Sequence, residues 1–394
     1  MKTENPYELV AKLGLLQRQA HVDPEIKDLI CAYARLKADR GEDVVFYGPE
    51  ADASAKPPSF LVRWLVEKNP GMDARLVQFL QSYSQTMAAR RLPVVFNSDH
   101  LARKMRIGHG LLCRMAFNAP DFYSRFEIPK SNGSPRAIAA PQPPLLRVQN
   151  WILAKILSKV SPHRYATAFI PGRSILDNAR PHAGRSIVIR MDLKDFFPSI
   201  AYRDVRRVFE KMGYPYRAAA FLANLCTLDG CLPQGAPTSP AISNLVALSM
   251  DKRFAGLRKK LKFRYSRYAD DLAFSSQDPR LPQLIPFFKQ IIREEGYVVN
   301  DDKTRIMRQG YRQSLTGLVL NVKPNLPRRQ ARLLRAMAHR MATQGVKAVE
   351  IPHAANRESD PENVLRGHLS FYKMVSPPKG TQLMALAYGD TRLV

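Results

Sequence analysis

The residues best suited to chemistry are three aspartates. Asp270 and Asp271 are adjacent in SRYADDLAFS, and Asp192 lies upstream in SIVIRMDLKDFFPSI. Phe263, Tyr265, Leu272 and Phe274 alternate at period two around the adjacent pair, which predicts a β-hairpin with Tyr268-Ala269-Asp270-Asp271 at its tip. Adjacent carboxylates at a turn repel each other, and a bound metal ion compensates them directly. A solvated acidic turn is the plain alternative, since turns favour Asp. The upstream segment shifts the balance. Ile187, Ile189, Met191 and Leu193 occupy one face of a strand, which turns Asp192 to the other face near the strand end. Asp195 is the better-placed cap for the turn that follows. One carboxylate from the strand and two from the hairpin could jointly hold two divalent ions. Mg2+ prefers a few carboxylates plus substrate phosphates. Two such ions can activate a 3′- or 2′-hydroxyl and stabilise a leaving pyrophosphate. That is nucleotidyl-transfer chemistry.

Such a site needs a sheet and helices to position it. Residues 185–200 predict a strand, 240–257 a helix, 263–276 the hairpin and 282–295 another helix. FEIPKSNGSPRAIAAP reads as a second hairpin around Ser-Asn-Gly, followed by a helix over 144–160. The alternation of strands and helices from about 120 to 322 implies an α+β core. Residues 1–95 predict helices over 6–16, 23–36, 59–66 and 73–91, with a Gly-, Pro- and Asp-containing linker over 41–58. After Pro324 the chain is again helical and basic.

The charge balance agrees with the chemistry. The 394 residues carry 61 Lys+Arg against 34 Asp+Glu, a net charge of +27, which a polyanion would neutralise. Nucleic acid is the first partner to consider; a ribosome-bound or membrane-surface protein is the alternative. No run of 18 apolar residues is present, which excludes a membrane-spanning helix, and the N-terminus lacks a signal-peptide apolar core. Of four cysteines only Cys226 and Cys231 are close, and they lack a second ligand pair. Reduced thiols in the cytoplasm are expected rather than zinc.

The order of these motifs resembles the reverse transcriptases, and more narrowly the bacterial retron type. EIPKSNGSPRAIAAP is similar to the fingers hairpin, RMDLKDFFPSI to the first catalytic motif and LPQGAPTSPAISNL to the motif before the palm helix. SRYADDLAFS contains the Tyr-x-Asp-Asp box, and GYVVNDDKTRI resembles the next palm motif. Asn178-Ala179-Arg180-Pro181-His182 matches the retron Asn-Ala-x-x-His motif. Leu315-Thr316-Gly317 stands where retron enzymes carry Val-Thr-Gly, and LRGHLSFYKMVSP resembles the thumb. Residues 1–95 resemble nothing comparable.

The resemblance implies a right-hand polymerase with an N-terminal helical extension over 1–95, fingers and palm over 96–322 and a thumb over 323–394. It implies an RNA-directed DNA polymerase using two Mg2+ ions, with Mn2+ as an alternative. Asp192, Asp270 and Asp271 would be the metal ligands, joined by the backbone carbonyl of Leu193. Phe197 would lie under the incoming sugar and exclude a ribose 2′-hydroxyl, or else simply pack in the core. Lys130 and Arg136 would grip the triphosphate, Gln234 and Gly235 would line the nucleotide site, and Lys303 would protonate pyrophosphate. Asn178 and His182, four apart, could contact structured RNA or fix the local fold by hydrogen bonds. Thr316 and Gly317 would also contact RNA, and Arg328, Arg329, Arg332 and Arg335 would track duplex phosphates.

The partners implied are dNTPs, a cognate noncoding RNA, its cDNA and a separately encoded effector protein. The implied product is branched RNA–DNA (msDNA) primed from a guanosine 2′-hydroxyl, in the service of antiphage defence. A group II intron or abortive-infection reverse transcriptase is the rival within enzymes. The short stretch after Pro324 is expected to leave no room for an intron-type maturase. A noncatalytic RNA-binding scaffold is the rival outside enzymes, and the intact aspartate set weighs against it.

Overall fold

A computed structural model describes residues 74–129, 133, 135–346 and 360–389. The helices expected before residue 73, the 41–58 linker and Lys130 lie outside the described residues. In chain order, α1 (Ala74–Ala89), α2 (Ser98–Met105) and α3 (His109–Phe117) precede a hairpin of β1 (Tyr123–Pro129) and β2 (Pro135–Pro141). Next come α4 (Pro143–Lys155), a short α5 (Ile175–Ala179), β3 (Ile187–Leu193), α6 (Tyr202–Lys211), α7 (Tyr216–Cys226), α8 (Ser239–Val246) and α9 (Leu248–Lys260). Strands β4 (Arg264–Tyr268) and β5 (Asp271–Ser276) follow, then α10 (Ile285–Glu294) and β6 (Val299–Arg308). The chain ends with β7 (Ser314–Leu315), β8 (Leu318–Val319), α11 (Arg328–Gln344), α12 (Pro361–Val375) and α13 (Pro377–Tyr388). Among the described residues no helix is long and apolar enough to cross a membrane.

The described residues form two compact units, one lying within Met1–Pro162 and Asp195–Leu248, the other within His163–Lys194 and Ser249–Val394. In the first unit, local chemistry sets the helix ends. Asn97 caps α2 by accepting from His100 N at 2.8 Å, and α4 opens on prolines, whose missing N–H costs nothing in a first turn. Buried Gln149 of α4 donates to Tyr123 Oη at 2.7 Å and to the Leu225 carbonyl at 2.8 Å, tying α4 to β1 and α7. The single helix expected over 240–257 is two, α8 and α9, divided at Ala247 (ψ 0°). Asp195 does not cap a helix. It takes φ 48° in a turn, its carbonyl accepts from Ser199 N at 2.8 Å, and α6 begins only at Tyr202.

The second unit is built on a four-stranded antiparallel sheet of order β4-β5-β3-β6. Ile189 pairs with Phe274 and Phe274 with Tyr265, so one face is apolar. Phe288 of α10 stacks on Phe274 at 4.3 Å between centroids, and Phe254 of α9 meets the same ring edge-on at 5.0 Å. On the opposite face Val188 and Ala273 join a cluster with Leu176, Leu334, Leu365 and Leu383, so α5 and α11–α13 cover that side. The polar positions of that face, at the strand ends, remain for chemistry.

Helices α12 and α13 meet at Gly380. A Cβ there would lie 2.2 Å from both Cα and N of Lys373, closer than any side chain tolerates. Gly367 on the exposed side of α12 has nothing within 4 Å. Gly380→Ala should therefore lower stability by about 1–3 kcal/mol through overpacking. Gly367→Ala should raise it by about 0.4–1 kcal/mol by restricting the unfolded chain. Equal melting temperatures for the two variants would contradict this helix packing.

Candidate active site

Asp192, next to last in β3, pairs with Asp271, the first residue of β5, and Leu193 N donates to the Asp270 carbonyl at 3.0 Å. The sheet therefore gathers all three predicted carboxylates, with the Leu193 backbone beside them, at one end of the second unit. Asp192 is buried at 5% exposure. Burial raises the proton affinity of Asp270, and the charges of Asp271 and Asp192 raise it further. Burial likewise raises that of Asp271, against the pull of Arg190.

Two cations answer this charge. Arg190, two residues before Asp192 on the same strand face, donates from Nε to Asp271 Oδ1 at 2.8 Å and from Nη2 to Oδ2 at 2.9 Å. Lys303 Nζ donates to Asp192 Oδ2 at 3.0 Å. A bulge delivers Lys303: the β3–β6 register jumps from Arg190↔Arg305 to Asp192↔Asn300, leaving 301–304 unpaired with β3. Lys303 is thus brought to the carboxylates.

The turn between β4 and β5 places Ala269 at φ 56°, a left-handed conformation that a Cβ disfavours. Arg267 holds it from behind. Its Nη1 donates to the Ala269 carbonyl at 3.1 Å, while Nε and Nη2 donate to Asp251 Oδ1 and Oδ2 at 2.9 and 2.7 Å. Both side chains are 0% exposed. Tyr265 Oη completes the group, donating to Asp251 Oδ1 at 2.7 Å. Burial disfavours the guanidinium charge, but Asp251 outweighs it and holds Arg267 above its ordinary proton affinity.

The donor set suits a hard divalent cation. Among the described residues no group of three or more His, Cys, Asp or Glu side chains is by itself placed to hold a metal ion. A closed cage is not what such an ion requires, since Mg2+ takes one or two carboxylates and completes its shell with water and substrate phosphates. One buried and two half-buried carboxylates, mutually repelling and gathered at one sheet end, fit that demand.

Asn178 and His182 do not face solvent: they are 1% and 0% exposed. Of the two readings left open by the sequence, direct RNA contact is corrected and the hydrogen-bonding one is observed. Ser266 Oγ on β4 donates to Asn178 Oδ1 at 2.6 Å. Its oxygen then accepts from His182 Nε2–H at 2.8 Å, so Nδ1 accepts from Ser275 Oγ–H on β5 at 2.7 Å. The imidazole is the neutral Nε2–H tautomer, and burial pushes its pKa down to about 3.

The predicted nucleotide-binding residues of the first unit fall in two places. Arg136 is exposed on β2 opposite Ile128. Ala139 N on the same strand donates to the Gln234 carbonyl at 2.9 Å. Gly235, at φ 134°, passes so close to β2 that a Cβ would lie 2.6 Å from the Ala139 carbonyl oxygen. The glycine is therefore needed for a close approach to backbone. Phe197 is half-buried with its ring 5.6 Å from that of Phe196. In the second unit, Thr316 and Gly317 form the tight β7–β8 turn with φ 45° and 85°, and Arg328, Arg329, Arg332 and Arg335 lie on the exposed side of α11.

Residues 128–338 match the family described as reverse transcriptase (RNA-dependent DNA polymerase). The chain is 36% identical over 321 residues to the retron Mx65 reverse transcriptase of Myxococcus xanthus, covering 75% of this chain and 72% of that one. It is 36% identical over 336 residues to the retron Mx162 enzyme of the same organism, covering 75% and 67%. To the retron Ec86 reverse transcriptase of Escherichia coli it is 32% identical over 308 residues, covering 77% and 92%. The chain belongs to the retron reverse transcriptases. The enzyme is accordingly an RNA-directed DNA polymerase, of a family that works with divalent metal ions.

Arg190, Arg267 and Asp251 were not singled out from the sequence of this retron enzyme. The signal for Arg267 was present: the alternation of Phe263 and Tyr265 carries it onto the apolar face, where an arginine requires a buried acid.

Removing one partner of a fully buried pair leaves an uncompensated charge. Arg267→Met should cost about 3–5 kcal/mol in denaturant unfolding, and adding Asp251→Leu should recover part of the loss. An unaffected single variant would show that the pair does not hold the turn. A second expectation concerns pH. Asp270 has its folded-state pKa raised above the unfolded value, so ionising it opposes folding. That penalty is absent well below the unfolded carboxylate pKa and grows as pH rises through the folded one. In chelator, Asp270→Asn should raise the melting temperature at neutral pH while abolishing polymerisation, and the gain should vanish in acid. A variant less stable than wild type at neutral pH would contradict the sign.

Proposed function

We propose that the enzyme binds a structured noncoding RNA encoded beside its own gene and primes from the 2′-hydroxyl of a guanosine within it. It copies part of that RNA into DNA, giving branched RNA–DNA (msDNA), and acts in the cytoplasm in antiphage defence with a separately encoded effector protein. The observation that carries this reading is the identity to retron reverse transcriptases over three quarters of the chain, combined with an intact aspartate set gathered at one sheet end.

In this reading the β1–β2 hairpin belongs to the fingers, the four-stranded sheet is the palm, α11–α13 form the thumb and residues 1–95 are an N-terminal extension. Asp192, Asp270, Asp271 and the Leu193 carbonyl hold two Mg2+ ions, with Mn2+ as a substitute. Held there, such ions would supply Lewis acidity to the attacking hydroxyl and charge neutralisation to the departing pyrophosphate. Arg190 orients Asp271, and Lys303, fixed by Asp192, supplies a proton to the pyrophosphate. Lys130 and Arg136 bind the triphosphate, Gln234 and Gly235 shape the nucleotide site, and Phe197 excludes the 2′-hydroxyl of ribonucleotides. Thr316, Gly317 and the four α11 arginines contact RNA backbone.

The decisive experiment is to express the protein with its native flanking DNA and digest the copurifying nucleic acid separately with RNase, DNase and debranching enzyme. One short DNA that shifts on RNase and again on debranching is expected. Unbranched cDNA would place the enzyme with another class of reverse transcriptase, and RNA without any dNTP incorporation would leave a binding scaffold. Asp270→Ala with Asp271→Ala should eliminate the DNA product. Phe197→Ala should increase ribonucleotide incorporation relative to dNTPs, and an unchanged ratio would remove Phe197 from sugar selection.

A further inference from the structure

At the end of the sheet opposite the carboxylates lies a cavity of about 340 Å3 ringed by Arg185, Arg258, Lys262 and Arg264. Arg185 precedes β3, Arg264 opens β4, and Arg258 and Lys262 lie at the end of α9 and just beyond it. Five residues of β3 separate this end from Asp192, about 16 Å at roughly 3.3 Å per residue. The carboxylate in the lining, Asp278, is engaged by Arg280, which donates from Nε to Oδ1 at 3.0 Å and from Nη2 to Oδ2 at 2.8 Å.

We propose that this cavity binds phosphodiester groups of the RNA on which the enzyme acts. The inference rests on the RNA-binding reading above and adds a site to it. Four observations carry it. First, the cavity is cationic, and among the described residues none of its four cations is held in an ion pair by a carboxylate. Second, Arg185 Nε is buried with no hydrogen-bond partner among the described residues, an orphan donor that a ligand oxygen would satisfy.

Third, the cavity is pre-organised. Gln277 Oε1 accepts from Ser186 N and Oγ at 3.0 and 2.6 Å, and its Nε2 donates to the Gly184 carbonyl at 3.1 Å. Both chain neighbours of Arg185 are thereby fixed. Arg258 lies over the Tyr165 ring with its guanidinium carbon 5.0 Å from the centroid. Fourth, Ser275 in the lining is held by His182, whose other nitrogen reaches Ser266 and through it Asn178. The buried Asn178–His182 motif thus supports the cavity from beneath and acts on RNA as a positioning device without touching it.

Four cations around one cavity exceed the charge of a single phosphate group. A polymer that brings successive phosphates past Lys262 and Arg264, both exposed, matches that charge better than a free anion does.

The test uses full-length protein and fluorescence anisotropy with end-labelled RNA transcribed from the DNA flanking the coding sequence, beside a scrambled RNA of equal length. Arg185→Gln with Arg264→Gln should weaken binding roughly tenfold or more at physiological salt and reduce the slope of log K against log salt by about 1.5. Lys155→Gln with Lys159→Gln, an equal loss of exposed charge outside the cavity, should change affinity less than threefold, roughly what non-specific charge loss gives. If thermal unfolding shows the first pair to be misfolded, Arg258→Gln with Lys262→Gln serves in its place.

Equal losses in cavity and control variants, or no loss in the cavity variant, would overturn the cavity while leaving RNA binding intact. A wild type that does not prefer its flanking RNA over the scrambled one would overturn the RNA-binding reading and the cavity assignment together. Thermal stabilisation by inorganic pyrophosphate that the cavity variant lacks, with RNA affinity unchanged, would assign the site to a free anion and reject the polymer.

Discussion

Like charge confined to one end of a sheet is the constraint around which this protein is built. Two unit charges about 4 Å apart interact by roughly 4 kcal/mol at an effective dielectric of 20. Whole domains are stable by only about 5–15 kcal/mol. Three uncompensated carboxylates would therefore threaten the fold that carries them. The structure answers from three directions. Arg190 comes from the same strand face, Lys303 from a bulge in the neighbouring strand, and Arg267 from behind the turn. The first two meet the carboxylates directly. The third is buried with its own acid and acts on the backbone that presents Asp270 and Asp271.

This arrangement works because the two faces of the sheet differ in kind. The face bearing Phe274 is filled by aromatic rings from α9 and α10 and gives the strands a rigid backing. Arg267 belongs to that face by register, and the bidentate acid, the Ala269 carbonyl and the Tyr265 hydroxyl on that acid make its burial tolerable. The other face mixes polar and apolar positions. Its middle packs against helices, its front end holds the carboxylates, and its remaining serines are absorbed by Asn178 and His182. A neutral imidazole suits this place, since it both donates and accepts; a charged one would have two donors for a site that offers one donor and one acceptor.

Much of the candidate site was legible in the sequence because period-two alternation is a strong signal. It set Asp192 on the face opposite Ile189 and put Asp270 at a hairpin tip, and both placements hold in the structure. Three other features depend on tertiary context. The register slip that delivers Lys303 leaves no mark in local spacing, so its position followed only from family resemblance. Asn178 and His182 read equally as surface or interior, because the serines that satisfy them are 84 to 93 residues away. Gly235 passes close to the backbone of β2, a contact between residues about a hundred positions apart that local spacing does not show. Asp195 was misread because a capping residue and a left-handed turn residue draw on the same amino acids.

In the proposed reading, the distribution of positive charge bears on how one RNA is chosen over others. A net charge of +27 gives affinity for any polyanion, and affinity of that kind cannot discriminate. Discrimination needs cations whose positions are fixed before the ligand arrives, so that an RNA of the wrong shape leaves them unpaired. The exposed arginines of α11 are long, solvated side chains, suited to following any duplex. Arg185 and Arg258 differ, one clamped between neighbours bound to Gln277 and the other laid over Tyr165. The serine beneath them bonds to a histidine buried against the same sheet that gathers the three carboxylates. A single scaffold thereby fixes both ends of the sheet, and in the proposed reading the rigidity that polymerisation demands at one end serves shape recognition at the other.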